Sequence, residues 1–194
     1  MITLKDNVNY ISPEVFQKIL DYVKSNMSDR KLSYYHIQMI FKIAYNSGLR
    51  VNEVLKLKPK DFDFDLLEIN LGQTKTEQRG LASITPSFKP ELETWIKSFI
   101  PDVKLFPITR QAAYNWLMEI GRALSISALI TPQTETNEKT KTHIFRKSIG
   151  KYMLYKQAPL NIIQRKLRHT SINMTSEYLK IKLNDVKTWE SDNL

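Results

Sequence analysis

SGLRVNEVLKL, residues 47–57, joins two kinds of sequence. Before it, YHIQMIFKIAYN repeats apolar residues at helical spacing, with Ile37, Ile40, Phe41 and Ala44 on one face and Gly48 at the expected end. After it, RVNEVLKLKPKDF reads as a short helix stopped by Pro59, and LLEINLGQTKTEQRGLASITP changes to two short strands around a polar turn. Arg50 therefore stands directly after a glycine break. Glu53 follows three residues later, a spacing at which one helical turn lets a carboxylate hold a guanidinium. The same pattern also suits an exposed Arg–Glu pair on a helix face.

Working outward, SPEVFQKILDYV starts a helix with Ser12 as cap and Pro13 in the first turn, and sets Val15, Phe16, Ile19, Leu20 and Val23 on one side. PELETWIKSFI and TRQAAYNWLMEIGRAL return to helical periodicity beyond the strands. In the second of these Thr109 is the cap and Ala113, Trp116, Leu117 and Ile120 face inward. The polar run 131–142 carries no apolar pattern and reads as a surface loop. THIFRKSIGKYMLYKQ, PLNIIQRKL and SINMTSEYLKI each support a helix, and 182–194 forms a C-terminal tail. The fold class is mixed, mainly α with a small antiparallel β-sheet.

Composition narrows the partners. The 194 residues are 42% hydrophobic, which suits one domain over 1–194, and with about ten residues ahead of the first helix no separate N-terminal core-binding domain is expected within them, whether the chain is a catalytic fragment or a short protein. Cysteine is absent, so disulfides and thiolate metal sites are excluded, and a reducing, cytoplasmic setting is expected. No apolar run approaches the roughly 20 residues that span a bilayer, so no membrane is expected. A net charge of +9 favours a polyanion, nucleic acid first, although a merely solvated basic surface has the same composition.

Two further stretches carry candidate chemistry. THIFRKS places His143 and Arg146 three apart on one face of a new helix, with Phe145 turned inward. HTSINMTSEY opens with His169 and closes with Tyr178. Singly these patterns are common in any chain of this composition; in order, after GLRVNE and a hairpin turn bearing Lys75, they gain weight. Tyr152, Tyr155, Trp95 and Trp116 read as packing residues, and His36 as a surface or cap residue.

With those residues in place the chain resembles the tyrosine recombinases, the phage-integrase type of site-specific recombinase, from about residue 10 to 181. The resemblance implies that family's catalytic-domain fold, the DNA breaking-rejoining fold. It carries the first catalytic arginine to Arg50, the β-hairpin lysine to Lys75, the H-x-L-R pair to His143 and Arg146, and the second histidine and the nucleophile to His169 and Tyr178. The chain departs from the pattern at Phe145 for leucine, at Lys147 where histidine is common, and at Arg168 where glycine precedes the second histidine. A glycine there adopts a left-handed backbone that arginine adopts only at some cost.

The resemblance further implies a site-specific recombinase or integrase that cleaves and rejoins duplex DNA through a 3′-phosphotyrosine. It needs no nucleotide cofactor, because the transesterification conserves bond energy, and no metal is expected. Two arginines would neutralise the scissile phosphate, Lys75 would protonate the leaving 5′ oxygen, and the two histidines would donate hydrogen bonds or relay a proton. Other protomers of the same protein would be partners, as a tetramer on synapsed DNA with exchange of the C-terminal tail. The context would be a prokaryote, a phage or an archaeal virus. Two alternatives share much of this pattern: a type IB topoisomerase, and a non-catalytic DNA-binding regulator on the same fold.

Overall fold

The computed structural model describes residues 10–27, 32–73, 79–130 and 143–179. Helix α1 (Pro13–Asn26) starts where Ser12 Oγ accepts the Val15 N–H at 3.3 Å and Pro13 fills the first turn. Its apolar side, Phe16, Ile19, Leu20 and Val23, packs toward α2 (Tyr34–Ser47). Helix α2 is the axis of the core, with Ile37, Met39, Ile40, Phe41, Ile43 and Ala44 all fully buried. The buried Gln38 amide finds its acceptor in the Leu20 carbonyl at 2.7 Å. His36 sits in the first turn of α2, its Nδ1 2.7 Å from Ser33 Oγ.

Gly48 ends α2 in the left-handed region at φ +64°, and a Cβ there would meet the Lys166 carbonyl at 3.3 Å. The turn favours glycine, and a Cβ would fit only if the Lys166 carbonyl gave way by a few tenths of an ångström. The next helix, α3 (Val51–Val54), is shorter than expected: it ends well before Pro59, which instead opens a separate 3₁₀ turn over Pro59–Asp61. That turn is held by Asp61 Oδ2, which accepts the Lys58 N–H at 2.8 Å.

Three antiparallel strands follow in the order β1 (Phe62–Asp63), β2 (Glu68–Gln73) and β3 (Arg79–Ser83). Ile69 pairs with Ala82 and both side chains enter the core. Strand β1 adds to the two expected strands, and with two residues it has no alternation of its own to read. The expected turn at Lys75 lies outside the described residues, as do the 131–142 loop and the 182–194 tail.

Helices α4 (Lys89–Ile96), α5 (Arg110–Ala123) and α6 (Ser127–Ile130) close one side of the core. Thr109 caps α5 at 3.2 Å, and Ala113, Trp116, Leu117, Ile120 and the Trp95 of α4 are buried as expected. On the other side, α7 (Ile144–Tyr155) lies against α2. Its Phe145 sits 5.2 Å from the Phe41 ring and 5.6 Å from the Phe16 ring. Tyr152 and Tyr155 pack at the surface of α7 rather than in the core, with Lys156 Nζ 5.7 and 5.9 Å from their ring centres.

Helices α8 (Leu160–Leu167) and α9 (Ile172–Leu179) pack on α7 through a small cluster of their own, Ile163, Leu167 and Leu179. Gly150 permits this approach: a Cβ on it would stand 3.0 Å from both Leu167 Cδ1 and Leu179 Cδ2. Among the described residues no helix is long and apolar enough to cross a membrane.

Candidate active site

The end of α2, the start of α3, the start of α7 and the α8–α9 turn meet at one place. Arg146, in the first turn of α7, is 2% exposed and donates from Nη1 to the Gly48 carbonyl at 2.9 Å. A buried guanidinium fixed to a helix-ending carbonyl is a preset cation. Arg50 caps α3 from the same break, but its side chain is 45% exposed and faces outward. Glu53 holds it at two points, accepting the Arg50 N–H at 2.7 Å and Nη1 at 3.3 Å. The carboxylate placed three residues on thus orients the guanidinium.

His143 immediately precedes α7 and is half-buried. Burial, then the Arg50 and Arg146 charges, lower its pKa to about 4, so the imidazole is neutral at pH 7. His169 follows α8, and burial with the Arg146, Arg50 and Arg168 charges lowers it to about 4 as well. Its ring stands edge-on to Tyr178, with centres 5.0 Å apart and planes at 79°. Tyr178 lies on the last turn of α9 against the small apolar cluster, and its hydroxyl is buried. Arg146 is lowered to about 10 by burial, then Arg50 and Arg168, with the Tyr178 and Glu53 charges opposing, and it stays protonated at neutral pH.

The structure thus brings together Arg50, His143, Arg146, His169 and Tyr178, drawn from four places along the chain. The sixth candidate, Lys75, lies outside the described residues. Among the described residues no group of three or more His, Cys, Asp or Glu side chains could hold a metal ion.

Two supporting residues, Thr175 and Gln164, escaped the sequence reading, and a third, Arg168, was read there only as a departure from the family pattern. Thr175 is fully buried and its Oγ1 lies 3.1 Å from His169 Nδ1 and 3.4 Å from the Ser171 carbonyl. Gln164 ties down the His169 backbone, accepting its N–H through its own carbonyl at 3.0 Å and donating Nε2 to the His169 carbonyl at 3.0 Å. Arg168 adopts the left-handed backbone at φ 52°, ψ 44°, and its Nη2 donates to Glu53 Oε2 at 2.8 Å. Burial pushes the Glu53 carboxyl up, but Arg168 and the Arg50 contacts outweigh it and hold it below the ordinary range. A signal for Thr175 exists in its place one helical turn before Tyr178; none announced the Arg168–Glu53 contact, which spans 115 positions.

The sequence model of the Phage integrase family matches residues 9–184, and the chain belongs to that family. The tyrosine recombinase XerA of Saccharolobus solfataricus is 25% identical over 150 residues, which cover 77% of this chain and 47% of that protein. The catalytic domain of bacteriophage HP1 integrase has the same fold, with a TM-score of 0.61 at 14% identity, covering 95% of this chain and 94% of that one. XerH site-specific recombinase, solved in a post-cleavage complex with its palindromic difH substrate, matches with a TM-score of 0.67 at 20% identity over 94% of this chain and 52% of that one. The fold is therefore the tyrosine recombinase catalytic-domain fold. The chain spans 47% to 59% of the length of three curated relatives that it matches.

Proposed function

We propose that the chain is the catalytic domain of a site-specific tyrosine recombinase, which cuts duplex DNA by forming a 3′-phosphotyrosine at Tyr178 and then reseals it. The observation that carries this reading is Tyr178 set against His169 within the electrostatic reach of Arg146, in a pocket that Arg50 and His143 complete. The DNA complex of the XerH relative supports the substrate class.

In the cleavage step the Tyr178 oxygen attacks phosphorus, the bond from phosphorus to the 5′ oxygen breaks, and the leaving oxygen takes a proton. Arg50 and Arg146 present fixed charge to the non-bridging oxygens, where negative charge builds. The Thr175 hydroxyl has one proton and the Ser171 carbonyl can only accept it, so His169 Nδ1 carries the hydrogen and donates to Thr175. That leaves His169 Nε2 as a neutral base for the phenolic proton. His143, also neutral, stabilises the phosphate by hydrogen bonding, and Lys75 is assigned the leaving-group proton by resemblance alone. The Tyr178 hydroxyl is buried in the free protein, so attack on phosphorus requires that it be uncovered when DNA engages. Other copies of the chain are assigned as partners on synapsed DNA.

The test is covalent capture. A pool of nicked suicide duplexes of randomised sequence, incubated with the protein and then denaturing detergent, yields protein–DNA adducts that Tyr178→Phe abolishes while non-covalent binding persists. Equal capture by the phenylalanine variant contradicts the assignment. A topoisomerase would instead relax supercoiled plasmid of any sequence.

A further inference from the structure

Arg168 occupies a position where its backbone is strained and its side chain is nearly enclosed. A non-glycine residue in the left-handed region costs about 1 kcal/mol relative to glycine. The side chain is only 15% exposed, so the strain does not place the charge in water. One end of the guanidinium is used: Nη2 donates to Glu53 Oε2, the same oxygen that accepts the Arg50 N–H. The other end is not, for Nη1 is buried with no hydrogen-bond acceptor among the described residues. An unsatisfied donor on a buried cation is costly, more so than the backbone strain.

The surroundings define what would satisfy it. Arg50 and Arg168 both lie within electrostatic reach of Arg146, and among the described residues one carboxylate, Glu53, interacts with all three. Arg146 is committed to the Gly48 carbonyl through Nη1, and Arg50 to Glu53. Among the described residues the pocket thus has more guanidinium donors than acceptors, which suits an anionic ligand with several oxygens.

We propose that Arg168 is a third phosphate-binding arginine of this site, with Nη2 anchored on Glu53 and Nη1 donating to an oxygen of the DNA phosphate backbone. This rests on the DNA reading above. The strained residue places a guanidinium where the glycine expected there would leave none.

The salt dependence of binding tests it, since each phosphate contact adds about 0.9 to the slope of log affinity against log salt. In a Tyr178→Phe background, binding of a labelled duplex of arbitrary sequence is titrated over a range of sodium chloride. Arg168→Gly and Arg168→Asn both accept the left-handed backbone, so both fold, and each should lower the slope by about 0.9. The same loss should persist in a Glu53→Gln background. A loss that vanishes there shows Arg168 acting only through Glu53 and overturns the proposal. So does an unchanged slope while Arg50→Ala and Arg146→Ala each reduce it. If those two also leave the slope unchanged, the pocket does not bind DNA phosphate, and this proposal fails together with the reading beneath it.

Discussion

Thr175 has no chemistry of its own, yet in the proposed reaction it selects which nitrogen of His169 acts. Replacing it with valine keeps the volume and removes the hydroxyl that holds Nδ1. Thr175→Val should lower the rate of covalent capture by about tenfold, the effect of one hydrogen bond to a reacting group. Nitrogen chemical shifts should show His169 released into a mixture of tautomers. An unchanged tautomer with unchanged capture would remove Thr175 from the site. That Arg50, His143, Arg146, His169 and Tyr178 belong together was legible in the sequence because each sits in a short, ordered motif. Thr175 and the Arg168–Glu53 bridge were not, because they depend on which helix ends meet, and local spacing does not encode that.

At the scale of elements, the approach of α8 and α9 to α7 sets the distance from Tyr178 to Arg146. Gly150 is the contact point, with no space for a larger side chain beside Leu167 and Leu179. Gly150→Val should destabilise the protein by about 1–3 kcal/mol in denaturant titration and reduce capture further than that loss of folded protein explains. Loss of stability with undiminished capture by the folded fraction would show that the spacing does not matter. The long helices were readable because caps and periodicity agree: Ser12 before α1, Thr109 before α5, Gly48 after α2. The two-residue β1 was not, since only pairing with Ile69 and Glu68 makes it a strand. Pro59 misled for a similar reason, as proline opens a 3₁₀ turn as readily as it ends a helix.

For the whole molecule, the concentration of positive charge at one pocket links folding to pH. His143 and His169 fall from an ordinary 6.5 to about 4 in the folded protein, first through burial and then through the arginines. Unfolding therefore takes up protons in acid. The neutral rings contribute stability that is fully present above pH 6.5 and lost as pH falls through about 4. Discounted for the partial exposure of both rings, the loss should be about 2 kcal/mol, or roughly 5 °C in unfolding midpoint, and a His143→Asn, His169→Asn double variant should lack it. An identical acid profile in that variant would place the pH dependence elsewhere. The central claim is that Tyr178 becomes joined to DNA, and peptide mapping of the captured adduct by mass spectrometry tests it most directly. The account predicts a nucleotide 3′-phosphate on the peptide that contains Tyr178, with a 5′-hydroxyl on the released strand; a linkage on any other residue, or to a 5′-phosphate, would contradict it.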